Sequence, residues 1–359
     1  MPLQTTTIGA FPKPKYVPVQ DWFLAQKSTA EREASPGLLA NWQPGEYEAA
    51  LQAASGRAEE LFVRATREVI DDQIGAGIDV PTDGEVRREN YIFYQCRRLA
   101  GISFSQVTRK SVRQGSHSAD VPTITGPISL TTPRLSEDWR TGQNWTTRPI
   151  KITLPGPMTI ADSVADAYYH DERKLGADLA DALNVEVRAL ADAGCQYIQV
   201  DEPVFARKPE EALAYGFDHL ERTFTRVPEH VIRVVHVCCG YPNALDSQHY
   251  RKADARCYLQ IADAIERSSI DQISIEDAHR HNDLSLLEHF VSTRVVLGVV
   301  DVARSRVETV EEIRERLKAA LEHIDADRLI AAPDCGLGFL TREMALAKLM
   351  ALTQAARQV

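Results

Sequence analysis

The chain has 359 residues, of which 44% are hydrophobic, and a formal net charge of -10. This length and composition suit one large α/β barrel or two ordinary domains. The negative charge, without a basic patch, argues against nucleic acid or an anionic membrane as a partner. No signal peptide and no membrane-spanning apolar run is found, and six cysteines without extracellular cues indicate free thiols or metal ligands. We therefore expect a cytoplasmic protein.

Apolar strands and helical segments alternate along the chain. A helix is predicted over about 175–193, and Thr309 with Glu312 forms a capping box that begins another. About eight strands, each followed by a helix or loop, predict an α/β fold of the (β/α)8 TIM-barrel type, a single catalytic barrel over residues 1–359. The predicted strands begin near Thr5, Ile78, Ile150, Tyr197, Ile232, Ile273, Val295 and Leu329.

Residues 101–147 do not follow this alternation. Short alternating segments with frequent Pro, Ser and Thr predict a β-rich insertion that projects from the barrel. Two interpretations stay open for it: a flap over the functional site, or a surface excursion without a role in the chemistry.

Metal-binding side chains follow several of the predicted strands. His236 and Cys238 point to the same side because side chains alternate along a strand, whereas Cys239 should face the other way as a structural residue. Glu276 and Cys335 end two later strands. Each residue alone could be a packed core residue, but strand ends meet at one mouth of a barrel. One His, two Cys and one Glu suit zinc, with one ligand weak enough to give way to a substrate.

Six motifs in order resemble the catalytic C-terminal barrel of cobalamin-independent methionine synthase. The resemblance runs over nearly the full chain, and we expect a stand-alone form without the N-terminal barrel of that family. The motifs are Thr5-Thr6-Thr7-Ile8-Gly9, Asp83-Gly84-Glu85, Asp201-Glu202-Pro203, His236-Val237-Cys238, Ile273-Ser274-Ile275-Glu276 and Pro333-Asp334-Cys335-Gly336-Leu337.

The resemblance implies a zinc-dependent methyltransferase that moves a methyl group to the thiol of homocysteine. Bound zinc holds a thiol as its thiolate near neutral pH, when a free thiol with a pKa of about 8.5 is mostly protonated. The implied zinc ligands are His236, Cys238, Glu276 and Cys335. The implied contacts to the amino-acid end of homocysteine are Glu85 and Asp201 for the ammonium group and the backbone of Ile8, Gly9 and Ala10 for the carboxylate.

Departures from the family pattern concern the methyl donor. The family has a Ser where this chain has Ala10, a Trp that stacks on folate where this chain has Ser163, and a folate-contacting Glu where it has Arg207. These departures argue against methyl-folate polyglutamate as the donor and favour a corrinoid-bound or other methyl group. The donor is left open between a methyl-folate and a methyl-corrinoid.

A further departure concerns proton transfer. The family's Tyr-Asp-Ile-His segment corresponds to Val300-Asp301-Val302-Ala303, which keeps Asp301 but lacks the histidine. His279 or His281, in the loop after Glu276, is the predicted substitute.

Two other functions stay open from the sequence. The first is a zinc-dependent alkyltransferase or lyase that acts on another thiol, such as the related epoxyalkane to coenzyme M transferases. Glu85 and Asp201 argue against a sulfonate thiol, because two carboxylates repel an anionic head group. The other is a zinc-binding barrel without turnover. The oligomeric state is left open.

Overall fold

The computed structural model describes residues 2–21, 43–112, 117–240, 245–247 and 252–359. Ten strands lie in these ranges: β1 (Gln4–Thr5), β2 (Ala100–Val112), β3 (His117–Ser129), β4 (Lys151–Pro155), β5 (Ala165–Asp166), β6 (Tyr197–Asp201), β7 (Ile232–Val237), β8 (Gln272–Glu276), β9 (Arg294–Val300) and β10 (Leu329–Pro333). Seven of them form one parallel sheet in the order β1-β10-β9-β8-β7-β6-β4. Strands β4, β8 and β10 are buried at every position, as expected for parallel strands covered on both faces.

The segment 78–82 closes this sheet into a barrel. Parallel bridges join Val80 to Thr6 after β1, and Thr82 to Lys151 in β4. The Lys151 N–H donates to the carbonyl oxygen of Pro81 at 2.9 Å. This segment occupies the position of the predicted second strand, although it pairs through single bridges. The predicted (β/α)8 barrel is confirmed.

Helices follow the strands and surround the barrel. The described helices are α1 (Glu46–Ala53), α2 (Ala58–Gly75), α3 (Tyr91–Cys96), α4 (Leu135–Gln143), α5 (Pro157–Ser163), α6 (Glu172–Ala193), α7 (Pro203–Arg207), α8 (Pro209–Glu211), α9 (Phe217–Thr223), α10 (Cys257–Arg267), α11 (Val310–Ala320) and α12 (Arg342–Ala356), with a π-helical turn at Ala212–Gly216 and a 3-10 helix at Leu284–His289. Helix α6 agrees with the prediction for 175–193. Helix α11 begins at the predicted capping box of Thr309 and Glu312.

The β-rich excursion is a long antiparallel hairpin of β2 and β3, to which β5 adds a third strand. Its β structure ends at Ser129, so the β-rich prediction for 101–147 was wrong for its last part, where α4 forms. The α4 helix begins where the backbone N–H groups of Arg134 and Leu135 donate to the Glu186 carboxylate at 3.0 to 3.1 Å. Because Glu186 lies in α6, this helix start depends on a contact remote in sequence.

Among the described residues, every helix is too short or too polar to cross a membrane. The predicted cytoplasmic location and the predicted single domain over residues 1–359 stay predictions.

Candidate metal centre and substrate site

Three side chains of types that commonly bind metals meet at the carboxyl ends of two barrel strands. His236 lies in β7, Cys238 follows it, and Cys335 follows β10. One donor atom from each of these residues lies within 4.8 Å of the other two. The fold therefore brings His236, Cys238 and Cys335 together, as the sequence predicted.

The three donors fit a zinc ion. The His236 Nδ1 atom is hydrogen-bonded to the Ser274 hydroxyl at 2.9 Å, which orients the ring, while Nε2 is buried without a hydrogen-bond partner. A histidine fixed through one ring nitrogen with the other unpaired is the usual arrangement of a metal ligand. A hydrogen bond from Cys335 and the neighbouring His236 lower the pKa of Cys238 well below its usual range. One imidazole and two thiols, one of them readily ionised, are a donor set that zinc prefers.

The Glu276 carboxylate does not join this group. Its Oε2 atom accepts hydrogen bonds from the Cys239 N–H and from the Lys252 ammonium, both at 3.0 Å. Burial raises the pKa of the Glu276 carboxyl to about 7, although Lys252 acts in the opposite direction. Glu276 thus stays a predicted ligand. Cys239 lies outside the donor group as predicted, with its sulfur 3.6 Å from that of Cys257.

Tyr258 of α10 ties the ends of β7 and β8 together. Its hydroxyl donates to the Val237 carbonyl at 2.8 Å and accepts from the Glu276 N–H at 3.0 Å. Tyr258 is buried, so this bridge is shielded from water. The roles of Tyr258 and Ser274 as partners of neighbouring strands were not predicted, because nothing local in the sequence marks a residue as a partner of another strand.

The two predicted ammonium-binding carboxylates, Glu85 and Asp201, lie at the same mouth. Glu85 Oε1 accepts a hydrogen bond from the Thr153 hydroxyl at 2.8 Å. Asp201 Oδ1 accepts one from the Gln199 amide at 2.7 Å. Burial raises the pKa of Asp201 to about 7, and repulsion from Glu85 contributes in the same direction. Two buried carboxylates that repel each other form a site that a cation would stabilise.

The predicted backbone segment Ile8 to Ala10 packs against these carboxylates. The Ile8 carbonyl accepts from the Gln199 amide at 2.7 Å, and the Gly9 carbonyl accepts from the Thr82 hydroxyl at 2.6 Å. A Cβ atom on Gly9 would lie 2.6 Å from Glu85 Oε1, so a larger residue at this position would force the Glu85 carboxylate to move. Gln199, missed by the sequence analysis, connects this backbone to Asp201.

The two predicted proton-transfer residues form a second group with Asp334. His279 Nδ1 lies 3.9 Å from Asp301 Oδ1 and 3.8 Å from Asp334 Oδ2. Asp334 is fully buried and accepts hydrogen bonds from the N–H groups of residues 277–279, which hold the loop after β8. His281, the other candidate, is exposed. The chain has Ala303 where the family has a histidine. His279 nevertheless places an imidazole next to the retained Asp301.

Tyr91, at the start of α3, is a further residue that the sequence analysis missed. Burial, followed by the nearby Asp201 and Cys238, raises the pKa of its phenol well above the usual value. Tyr91 is therefore near enough to Asp201 and Cys238 to interact with both electrostatically.

Two of the three positions that depart from the family pattern and concern the methyl donor, Ser163 and Arg207, are close in the fold. Ser163 is buried at the end of α5, next to Asp162. Arg207, the last residue of α7, pairs with the Asp162 carboxylate at 3.0 Å, and Lys208 pairs with it at the same distance. The Trp and Glu of the family pattern are thus replaced by a small residue beside an ion pair.

The fold and the site together define a (β/α)8-barrel enzyme with a candidate thiolate metal centre at its mouth. The family model "Cobalamin-independent synthase, Catalytic domain" matches residues 45–358, and the chain belongs to this family. The predicted family and the predicted class of enzyme, a methyltransferase, are confirmed.

Named relatives resemble the chain over nearly its whole length. It is 29% identical over 350 residues to the methionine synthase of Sulfolobus acidocaldarius, covering 97% of this chain and 89% of that protein. It is 28% identical over 360 residues to that of Saccharolobus solfataricus, covering 99% and 95%. The structure of a B12-independent methionine synthase from Shewanella sp. W3-18-1 in complex with selenomethionine matches with 31% identity and a TM-score of 0.83, covering 99% and 97%.

Proposed function

We propose that the protein transfers a methyl group to the thiol of homocysteine and so forms methionine, with zinc as its metal cofactor. The observation that carries this proposal is the group of His236, Cys238 and Cys335 at the same barrel mouth as Glu85 and Asp201. When bound, zinc would hold the substrate sulfur as a thiolate and so make it a nucleophile at neutral pH. Membership of the synthase family supports this reaction.

His236, Cys238 and Cys335 would hold the metal through one nitrogen and two sulfur atoms. Glu276 is the fourth predicted ligand, and an oxygen ligand among sulfur donors is the one expected to leave when a thiol binds. Its carboxylate is near enough to Cys238 for the two groups to influence each other's ionisation. This set suits a catalytic site, in which one position opens for the substrate.

Glu85 and Asp201 would bind the ammonium group of homocysteine. Arg88, 3.5 Å from Glu85, already reduces their mutual repulsion, and a cation bound beside them would reduce it further, so the site would favour a thiol that carries a positive charge. The backbone of Ile8, Gly9 and Ala10 would meet the substrate carboxylate. Together these contacts favour homocysteine over a thiol with an anionic head group.

His279 and Asp301 would carry the proton that the homocysteine thiol loses when its sulfur takes the methyl group. Their side chains lie 3.9 Å apart, next to the position where the family has its histidine and this chain has Ala303. An imidazole beside a carboxylate is a common arrangement for proton transfer near neutral pH.

The methyl donor would be a methyl-folate or a methyl-corrinoid. Ser163 cannot stack on a pterin ring as a Trp would, and Arg207 engages Asp162 where the family places a folate-contacting Glu. These two changes at one place favour a donor other than the folate polyglutamate.

Methionine formation by zinc-loaded protein tests the proposal. Homocysteine would be offered with methyl-tetrahydrofolate, its polyglutamate form or methylcobalamin in parallel. Cys335→Ser should abolish the reaction and zinc binding together. Cys195→Ser is the matched control, because this buried thiol lies before β6, away from the metal donors, and a hydroxyl can make its hydrogen bond to the Tyr197 carbonyl. An active, zinc-free Cys335→Ser protein would contradict the proposal, and so would absence of methionine with all three donors.

A further inference from the structure

The Lys252 ammonium group lies between the metal centre and the proton-transfer group. Its Nζ atom is 3.0 Å from Glu276 Oε2 and 2.7 Å from His279 Nδ1. The Lys252 side chain is only 11% exposed and that of Glu276 only 6%, so water screens this ion pair weakly. Lys252 belongs to none of the motifs that the sequence analysis identified, so the sequence did not predict it as a site residue.

Lys252 gives the Glu276 carboxylate a stable position outside the group of His236, Cys238 and Cys335. In that position Oε2 accepts two hydrogen bonds, one from a cation and one from the Cys239 N–H, directly after the predicted ligand Cys238. A buried carboxylate without such partners is strongly unfavourable. The pair thus lowers the free energy of the arrangement in which Glu276 is not bound to the metal.

The charges of the site favour this arrangement when a thiolate is present. A zinc dication with the two thiolates of Cys238 and Cys335 is formally neutral, and a substrate thiolate brings the total to -1. Adding Glu276 as a ligand would make the total -2 in a buried site, where uncompensated charge is costly. With Glu276 paired to Lys252 instead, the carboxylate charge is balanced outside the metal centre.

The same ammonium group fixes the protonation pattern of His279. A lysine ammonium can only donate hydrogen bonds, so Nδ1 of His279 accepts and the ring proton is on Nε2. Lys252 therefore contacts both the predicted leaving ligand and the predicted proton-transfer imidazole.

We propose that Lys252 is a positioning residue of the metal centre, which holds the Glu276 carboxylate away from the metal and thereby opens the coordination position that the substrate thiol takes. This inference rests on the proposed function for the identity of the metal and the thiol. It makes Lys252 the competitor of the metal for Glu276.

The test is a mutant cycle with zinc affinity as its main readout, measured by competition with a chromophoric chelator in the absence of thiol. Lys252→Met frees Glu276 to bind the metal and should tighten zinc binding about tenfold, the scale on which neighbouring groups tune metal sites. The gain should vanish in Lys252→Met/Glu276→Gln. Lys252→Arg keeps the cation and should resemble the unchanged protein. Lys318→Met, which removes an exposed lysine from α11, is the matched control.

A second readout separates positioning from a general structural role. Lys252→Met should raise the KM for homocysteine more than it lowers kcat, because the thiol must then displace Glu276. Unchanged zinc affinity in a folded Lys252→Met protein, or a gain that persists without the Glu276 carboxylate, would overturn the inference. If methionine synthesis fails with every donor while the zinc cycle behaves as expected, the proposed reaction falls and the role of Lys252 stands.

Discussion

The chemical properties of individual residues at the barrel mouth depend on their burial and on their charged neighbours. Cys238, Cys335 and His236 form a compact donor group, and Asp201 with Glu85 forms an acidic pair beside it. Predicting that these residues share a mouth needed only their positions at strand ends. Their hydrogen-bond partners, such as Ser274 on His236, come from other strands and became apparent only in the fold.

The acidic pair gives a prediction about substrate affinity. Glu85→Gln and Asp201→Asn should each raise the KM for homocysteine roughly 10- to 100-fold, since hydrogen bonds to charged groups are worth about 1.5–3 kcal/mol. The zinc content of both variants should equal that of the unchanged protein. Steady-state kinetics with metal analysis checks this, and loss of zinc in either variant would contradict the separation of metal and ammonium sites.

Lys151 gives a prediction about pH. This side chain is 1% exposed, and burial lowers its pKa to about 7. Because the folded protein then binds fewer protons than the unfolded chain between about pH 7 and 10.5, Lys151 should make the free energy of unfolding rise with pH in that window, by up to about 1.4 kcal/mol per unit. Urea unfolding at pH 7 and 9 under reducing conditions should show a smaller rise for Lys151→Met than for the unchanged protein. An equal rise in both would refute the assignment.

At the scale of elements, contacts between remote segments decide where some helices begin. Helix α11 has its own capping box, and its start was predicted correctly. Helix α4 has no capping side chain at Arg134 and is begun instead by Glu186 of α6. This is why residues 135–143 were predicted within a β-rich insertion although they are helical.

The α4 cap can be removed by one substitution. Glu186→Ala should lower the free energy of unfolding by about 1–3 kcal/mol, because it leaves the buried N–H of Leu135 without its acceptor. Glu137→Gln, which changes an exposed carboxylate in the first turn of the same helix, is the control and should change it by less than about 0.5 kcal/mol. Urea denaturation of both variants measures the difference. Equal stability of the two variants would show that α4 does not depend on Glu186.

For the molecule as a whole, the metal donors couple strands that are far apart in sequence. The site takes residues from β7 and from the end of β10, which lie on either side of β8 and β9 in the sheet. A metal bound there stabilises the closed barrel, because it binds the folded chain better than the unfolded one.

Removing zinc should therefore lower thermal stability. At a free zinc concentration of 100 times the Kd, the gain in free energy of unfolding should be about 2.7 kcal/mol. Calorimetry with zinc and with a chelator measures this gain, and Cys335→Ser should show little of it. An equal response of Cys335→Ser and the unchanged protein would place the stabilising metal elsewhere.

The sequence by itself determined the barrel and the family, and it placed the candidate site residues at strand ends, because strand alternation, capping and the order of the motifs can be read along the chain. Only the tertiary structure decided which side chains are paired. Lys252 reaches Glu276 across 24 positions, Ser274 reaches His236 across 38 and Glu186 reaches Arg134 across 52. Such pairs depend on which strands and helices become neighbours in the fold. The sequence around one partner does not indicate which residue the other will be.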